Sequence, residues 1–141
     1  MKQLNFFCED VSFVLKNKAQ LRKWIFATIL AYAKKPQTIN YIFCSDEHLR
    51  KVNIDYLNHD YYTDIITFDN AETTHEVQGD LYISIDRVRE NAQDFGVTFE
   101  TELHRVMIHG ILHLIGYEDD TDEAEAEMRL LETKALQEVG I

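Results

Sequence analysis

His109-Gly110-Ile111-Leu112-His113-Leu114-Ile115-Gly116-Tyr117-Glu118-Asp119 closes an apolar run that begins near Leu103. Two histidines four positions apart on a helix lie about one turn apart on one side, so both imidazoles reach the same point. Gly116 can take the positive φ that ends a helix, and Asp119, three residues on, can fold its carboxylate back over the histidine face. His109, His113 and Asp119 thus form the set that a catalytic zinc uses, three protein ligands with a fourth position left for water. Leu103, Val106, Met107, Ile108, Leu112 and Leu114 make the same segment apolar nearly all round, which predicts a buried central helix capped by Thr98. Gly110 inside it costs about 1 kcal/mol against alanine, which points to a packing or access reason.

Working outward, residues 3–8 alternate as a short strand, and Leu21, Trp24, Ile25, Thr28, Ile29 and Tyr32 follow helical spacing over 18–33, with Pro36 as the stop and Trp24 in the core. Residues 38–44 are β-branched or aromatic in alternation, a strand, and Ser45 caps a helix to about Leu57 with Leu49, Val52 and Tyr56 facing inward. Residues 64–68 and 80–85 read as strands joined by a polar loop over 70–78. Asp86 is placed to cap a helix ending at Gly96, and Asp120 with Glu123 has capping-box spacing for a last helix to about Glu138. The order predicts one α+β domain over residues 1–141, a small mixed four-stranded sheet with about five helices and the metal-ligand helix at its centre.

Composition sets limits on function. A 45% hydrophobic, 28% charged chain is ordinary for a globular protein, and 141 residues suffice for a core without disulfides. The start, Met1-Lys2-Gln3-Leu4-Asn5-Phe6-Phe7, lacks the apolar region of a signal peptide, and no run approaches a membrane span, so a cytoplasmic protein is expected. Cys8 and Cys44 lie in strand-like apolar runs and are expected as buried free thiols. His48, His59, His75 and His104 are expected at surface or boundary positions. Net charge is −11, with 25 acids against 14 bases, which opposes binding of nucleic acid through phosphates alone. The bases do cluster near the first helix, at Lys16, Lys18, Arg22, Lys23, Lys34 and Lys35, either as a local basic face or as ordinary solvated lysines.

The spacing His-x3-His-x2-Gly-x2-Asp matches the ligand spacing of metzincin zinc sites. Gly110, however, stands where zincins carry their general-base glutamate, and glycine cannot take a proton from bound water. The motif His109-Gly110-x-Leu112-His113-Leu114-x-Gly116-Tyr117 instead resembles the zinc motif of the YbeY family of bacterial endoribonucleases. Thr63-Asp64-Ile65-Ile66-Thr67-Phe68 resembles that family's Thr-Asp-Val-Leu-Ser-Phe strand, Leu57-Asn58 its Leu-Asn lead-in, and Gly79-Asp80-Leu81 its Gly-Asp-Ile strand. Glu125, Met128 and Glu132 resemble the acidic and Met positions of its last helix. Two departures stand out: Asp119 replaces a third histidine, and the segment Asn58-His59-Asp60-Tyr61-Tyr62-Thr63 is shorter than its counterpart and lacks an arginine.

The resemblance implies a metal-dependent endoribonuclease for single-stranded RNA, acting in ribosomal RNA maturation and ribosome quality control, with ribosomal RNA and the small ribosomal subunit as partners. It implies one Zn2+ per chain on His109, His113 and Asp119. The carboxylate ligand also suits another divalent metal such as Fe2+, and it should acidify a bound water less than a third histidine would. No general base is assigned. Asp120 and Glu118 are the nearest unliganded acids, with helix cap and solvated charge as their ordinary roles, and Arg105, one turn before His109, is the candidate cation for phosphate. Three other readings stay open: a non-catalytic ribosome-associated factor with a structural metal, a metzincin-like metallohydrolase, and a chain without metal whose two histidines belong to the core.

Overall fold

The structure, a computed structural model, describes residues 2–140. Its elements are β1 (Gln3–Cys8), α1 (Lys18–Ala31), β2 (Lys35–Cys44), α2 (Asp46–Leu57), β3 (Ile65–Asp69), β4 (Glu76–Ser84), α3 (Ile85–Phe95), α4 (Phe99–Ile115) and α5 (Asp122–Glu138). The four strands form one mixed sheet in the order β1-β2-β4-β3, an α+β arrangement as expected. β2 runs parallel to both β1 and β4, while β3 pairs antiparallel with β4.

Alternation along the strands builds a core on each face of the sheet. Ile39, Tyr41 and Phe43 of β2 with Leu81 and Ile83 of β4 pack against α1 and α4. Cys44 and Ile66, on the opposite face, pack under Leu49 and Val52 of α2. In α1 the buried residues Leu21, Trp24, Ile25, Thr28 and Ile29 recur at helical spacing, and the buried Trp24 indole donates to the Ala135 carbonyl of α5 at 2.9 Å. The fully buried Tyr41 hydroxyl donates to the Met107 carbonyl at 2.8 Å, tying sheet to α4.

α4 is the central helix. It packs on β3 and β4 and is flanked by α1, α3 and α5. Gly110 faces the sheet: a Cβ there would run into Leu81 Cδ2 and lie 2.7 Å from Ile65 Cδ1. Its reason is therefore packing. With Gly110 pressed to the sheet, His109 points away from it, about 100° round the helix.

Several local expectations are corrected. α1 ends at Ala31 because Ala33 turns to φ 60, and Pro36 is not the stop but the second residue of β2, beside a register irregularity that tolerates its missing N–H. β4 starts at Glu76, inside the expected loop. The cap of α3 is Ser84, which accepts from Arg87 N, whereas Asp86 accepts from Asp46 N at the start of α2. The cap of α5 is Thr121, which accepts from Ala124 N; Asp120 is exposed and makes no capping bond. Tyr56 is exposed, its place in the helix interface taken by the buried Asn53. Cys8 is exposed, while Cys44 is buried and its thiol pKa is pushed up to about 12 by that burial. His104 is buried against the Trp24 ring, and burial lowers its pKa. Among the described residues no helix is long and apolar enough to cross a membrane.

Candidate metal centre

Glu102, Arg105, His109 and His113 recur at three- and four-residue steps, so α4 presents them as one polar stripe on an otherwise apolar helix. α5 crosses this stripe and inserts Glu132, which is 2% exposed. Its Oε2 lies 2.6 Å from His109 Nδ1, and its Oε1 accepts from Arg105 at 3.0 Å. Arg105 also forks onto both oxygens of the buried Glu102, at 2.8 and 2.6 Å, and lies 3.7 Å from Asp64 Oδ2. Asn91 of α3 donates to that same Asp64 oxygen at 3.3 Å.

Desolvation pushes the Glu132 carboxyl pKa up, but the hydrogen bond with His109 and the charge of Arg105 outweigh it and hold the pKa below the ordinary value. Asp64 is raised, chiefly by desolvation, against the pull of Arg105 and His109. For Arg105 desolvation opposes the charge, yet the bonds to Glu102 and the charges of Glu132 and Glu102 raise its pKa. The guanidinium is thus the internal counter-ion of a carboxylate cluster.

This cluster fixes the histidine tautomers. An ionised carboxylate and a backbone carbonyl only accept hydrogen bonds, so His109 Nδ1–H donates to Glu132 and His113 Nδ1–H donates to the Tyr117 carbonyl at 3.1 Å. A neutral ring bonded in this way keeps its lone pair on Nε2, the arrangement in which imidazole binds a metal. The loop after Gly116, which adopts φ 130, brings Asp119 Oδ2 to 3.4 Å from His109 Nε2. Two ligands on a tetrahedral ion with bonds of about 2.0–2.1 Å lie about 3.3 Å apart, so this pair fits a shared ion. Among the described residues no three His, Cys, Asp or Glu side chains converge into a formed metal cluster; His113 stands one turn along, outside the cleft lining.

The cleft itself, about 260 Å³, is lined by Asp64, Arg105, His109, Asp119, Glu125, Met128, Arg129 and Glu132. Four carboxylates face two guanidiniums there, and one of those, Arg105, is also held by Glu102, so the lining carries a surplus of acidic groups. Arg129 is half exposed and rests on the Phe95 ring at 5.6 Å, with Glu132 3.9 Å away. Of the sequence candidates, the structure brings together Arg105, His109 and Asp119; Asp120 lies outside the lining. Glu102 was missed as a site residue. The signal was an acid in the first turn and an arginine three residues on in a helix otherwise largely buried and apolar, a spacing that allows mutual pairing.

The family model described as Endoribonuclease YbeY matches residues 5–140. A protein named Endoribonuclease YbeY from Cytophaga hutchinsonii is 48% identical over 131 residues, 93% of this chain and 92% of that protein. One of the same name from Porphyromonas gingivalis is 48% identical over 96% of this chain and 89% of its own length. The solution structure of TM1509 from Thermotoga maritima superposes with a TM-score of 0.68 at 30% identity, covering 97% of this chain and 89% of that one. With a family match that runs through every strand and helix just described, including the cleft, the chain belongs to the Endoribonuclease YbeY family.

Proposed function

We propose that this protein is a metal-dependent endoribonuclease that cuts single-stranded RNA, acting in the cytoplasm on ribosomal RNA in association with the small ribosomal subunit. The observation that carries the reading is the cleft: His109 with its Nε2 freed by Glu132, Asp119 at 3.4 Å from it, and a surplus of carboxylates around both. His109, His113 and Asp119 would hold the ion, Zn2+ in the first instance, with Fe2+ the other candidate. When bound, such an ion supplies a Lewis acid for a phosphate oxygen and a water of lowered pKa.

The chain's own residues do the positioning. Glu132 orients His109 and is itself held by Arg105, which Glu102 anchors. Arg105, engaged in this way, serves the cluster, and the half-exposed Arg129 is the lining cation left to meet an RNA phosphate. A structural metal would want a closed site, whereas Asp119 is half exposed and borders an open cleft, which supports catalysis. A peptidase reading gains no support, since Gly110 faces the sheet and offers no base.

The test is metal content by plasma mass spectrometry on untagged protein, paired with cleavage of a labelled RNA offered single-stranded and as a duplex. The wild type should carry about one metal per chain and cut the single strand, and His113→Ala and Asp119→Ala should lose both. Stoichiometric metal without RNA cleavage would overturn the catalytic reading, and cleavage surviving thorough metal stripping would overturn the metal.

A further inference from the structure

The cleft explains how a phosphodiester would be cut but not how RNA is gripped. The protein carries net charge −11, and Arg105 in the cleft is engaged by buried carboxylates, so phosphate attraction contributes little. The segment that leads directly into Asp64 offers a different grip. Tyr56 is 72% exposed, Tyr61 54% and Tyr62 46%, three aromatic rings within seven residues that add nothing to either core. The backbone that carries them is nonetheless fixed. The buried Asn53 donates from its side chain to the Tyr61 carbonyl at 3.1 Å, and its own carbonyl accepts from His59 N at 3.1 Å. Asn58 takes the left-handed turn, φ 57, that ends α2 between them.

The rings are arranged as surfaces. His59 and Tyr61 already lie nearly parallel, 19° apart with centroids at 5.3 Å. Tyr56 stands edge-on to Phe68, with most of its ring still open to solvent. From Tyr61 to Asp64 the chain advances three residues, about 11 Å at most, so the His59–Tyr61 pair stands within that reach of the residue that joins the cleft wall, whereas Tyr56 packs on the α2 face of the sheet.

We infer that His59 and Tyr61 form a stacking platform for the unpaired bases of single-stranded RNA, positioning the strand that enters the cleft beside Asp64. The inference rests on the RNA reading above and specifies how the substrate is recognised. Every base has a π-face, so such a platform is tolerant of sequence; a duplex, whose bases are stacked on one another, has no free face to give it. The grip is therefore selective for single strands and only weakly dependent on salt.

The experiment is fluorescence anisotropy of a labelled 12-nucleotide single-stranded RNA with full-length protein across a salt series, with the matching duplex as competitor. Tyr61→Ala should weaken binding about 5- to 150-fold, the range of base–aromatic stacking, with Tyr61→Phe near wild type. Tyr61→Ala should leave the slope of log Kd against log salt unaltered, whereas Arg129→Gln should reduce it by about 0.7. Melting curves of the variants check the fold, and His59→Ala, on the other ring of the stacked pair, repeats the test independently. Wild type that binds no RNA would overturn the RNA reading and the platform with it. Wild type that binds while Tyr61→Ala and His59→Ala bind within twofold of it would overturn the platform alone.

Discussion

Replacing Arg105 by Met keeps much of the side chain's volume and removes its charge from the middle of the carboxylate cluster. Glu102 is 1% exposed and Glu132 2%, so neither can turn to water for compensation. Glu132 keeps His109, but Glu102 loses both bonds of its fork. Removing one partner of a buried ion pair costs about 3–5 kcal/mol. Set against about 5–15 kcal/mol for a whole domain, that is a large part of the stability, and for a chain of this size it lowers Tm by about 10–15 °C. The loss carries a pH signature. Without the cation, the folded-state pKa of Asp64, already raised by desolvation, rises further above the unfolded value near 4. Between those values the folded state holds protons the unfolded chain has released, so the variant loses stability as pH rises through that window. In the wild type, Glu132 has a depressed pKa, and its contribution is present above the unfolded value and lost as pH falls through the folded one. Both effects shrink the gap between the proteins toward pH 4 and open it toward pH 8. Urea unfolding followed by the fluorescence of Trp24, the chain's one tryptophan, in EDTA at pH 4, 5, 6, 7 and 8 measures it. A gap under about 1 kcal/mol at pH 7, or one that widens toward acid, would refute the counter-ion role.

Glu132→Gln should lower metal affinity about 10- to 100-fold, because the amide no longer holds His109 as a charged acceptor; competition with a chelator reads this directly. Gly79→Ala should destabilise by more than about 2 kcal/mol, since its Cβ would collide with the Phe68 backbone carbonyl, which cannot swing aside as a side chain can; denaturant melts that match wild type would contradict the packing described. His104→Leu should flatten stability below neutral pH. Burial lowers the His104 pKa, so its contribution is present above the unfolded value near 6.5 and is lost as pH falls through the folded one, and unfolding curves at pH 5 and 7.5 for both proteins show whether that slope disappears.

The strongest signals in the sequence were local ones. The stripe of α4, the glycine at its end and the caps Ser45 and Thr98 depend on residues within a turn of each other, and they appear in the fold as read. The start of β4 was hidden because Gly79 sits at an inward position between Val77 and Leu81, so the apolar series has a gap. The caps of α3 and α5 were misplaced where two capping residues stand within two positions, Ser84 beside Asp86 and Thr121 beside Asp120. At α3 the tertiary bond from Asp46 N engages Asp86 while Ser84 caps the helix, and at α5 Thr121 accepts from Ala124 N. The role of Glu132 depends on where α5 crosses α4, a long-range fact that no spacing within α5 records. Tyr56 follows the helical pattern of an inward residue, but the buried Asn53 occupies that interface and clamps the loop instead.

The crossing of α5 over α4 also bears on when the cleft comes into being. Its wall is drawn from Asp64, from Arg105 and His109 of α4, and from Glu132, so the chain must be made well into its last helix before the parts can meet. Domains emerge from synthesis N-terminal end first. A growing chain that already displays its tyrosines and both histidines still lacks the carboxylate that sets the His109 proton. The His109 proton is therefore placed only once α5 has been made and has docked on α4.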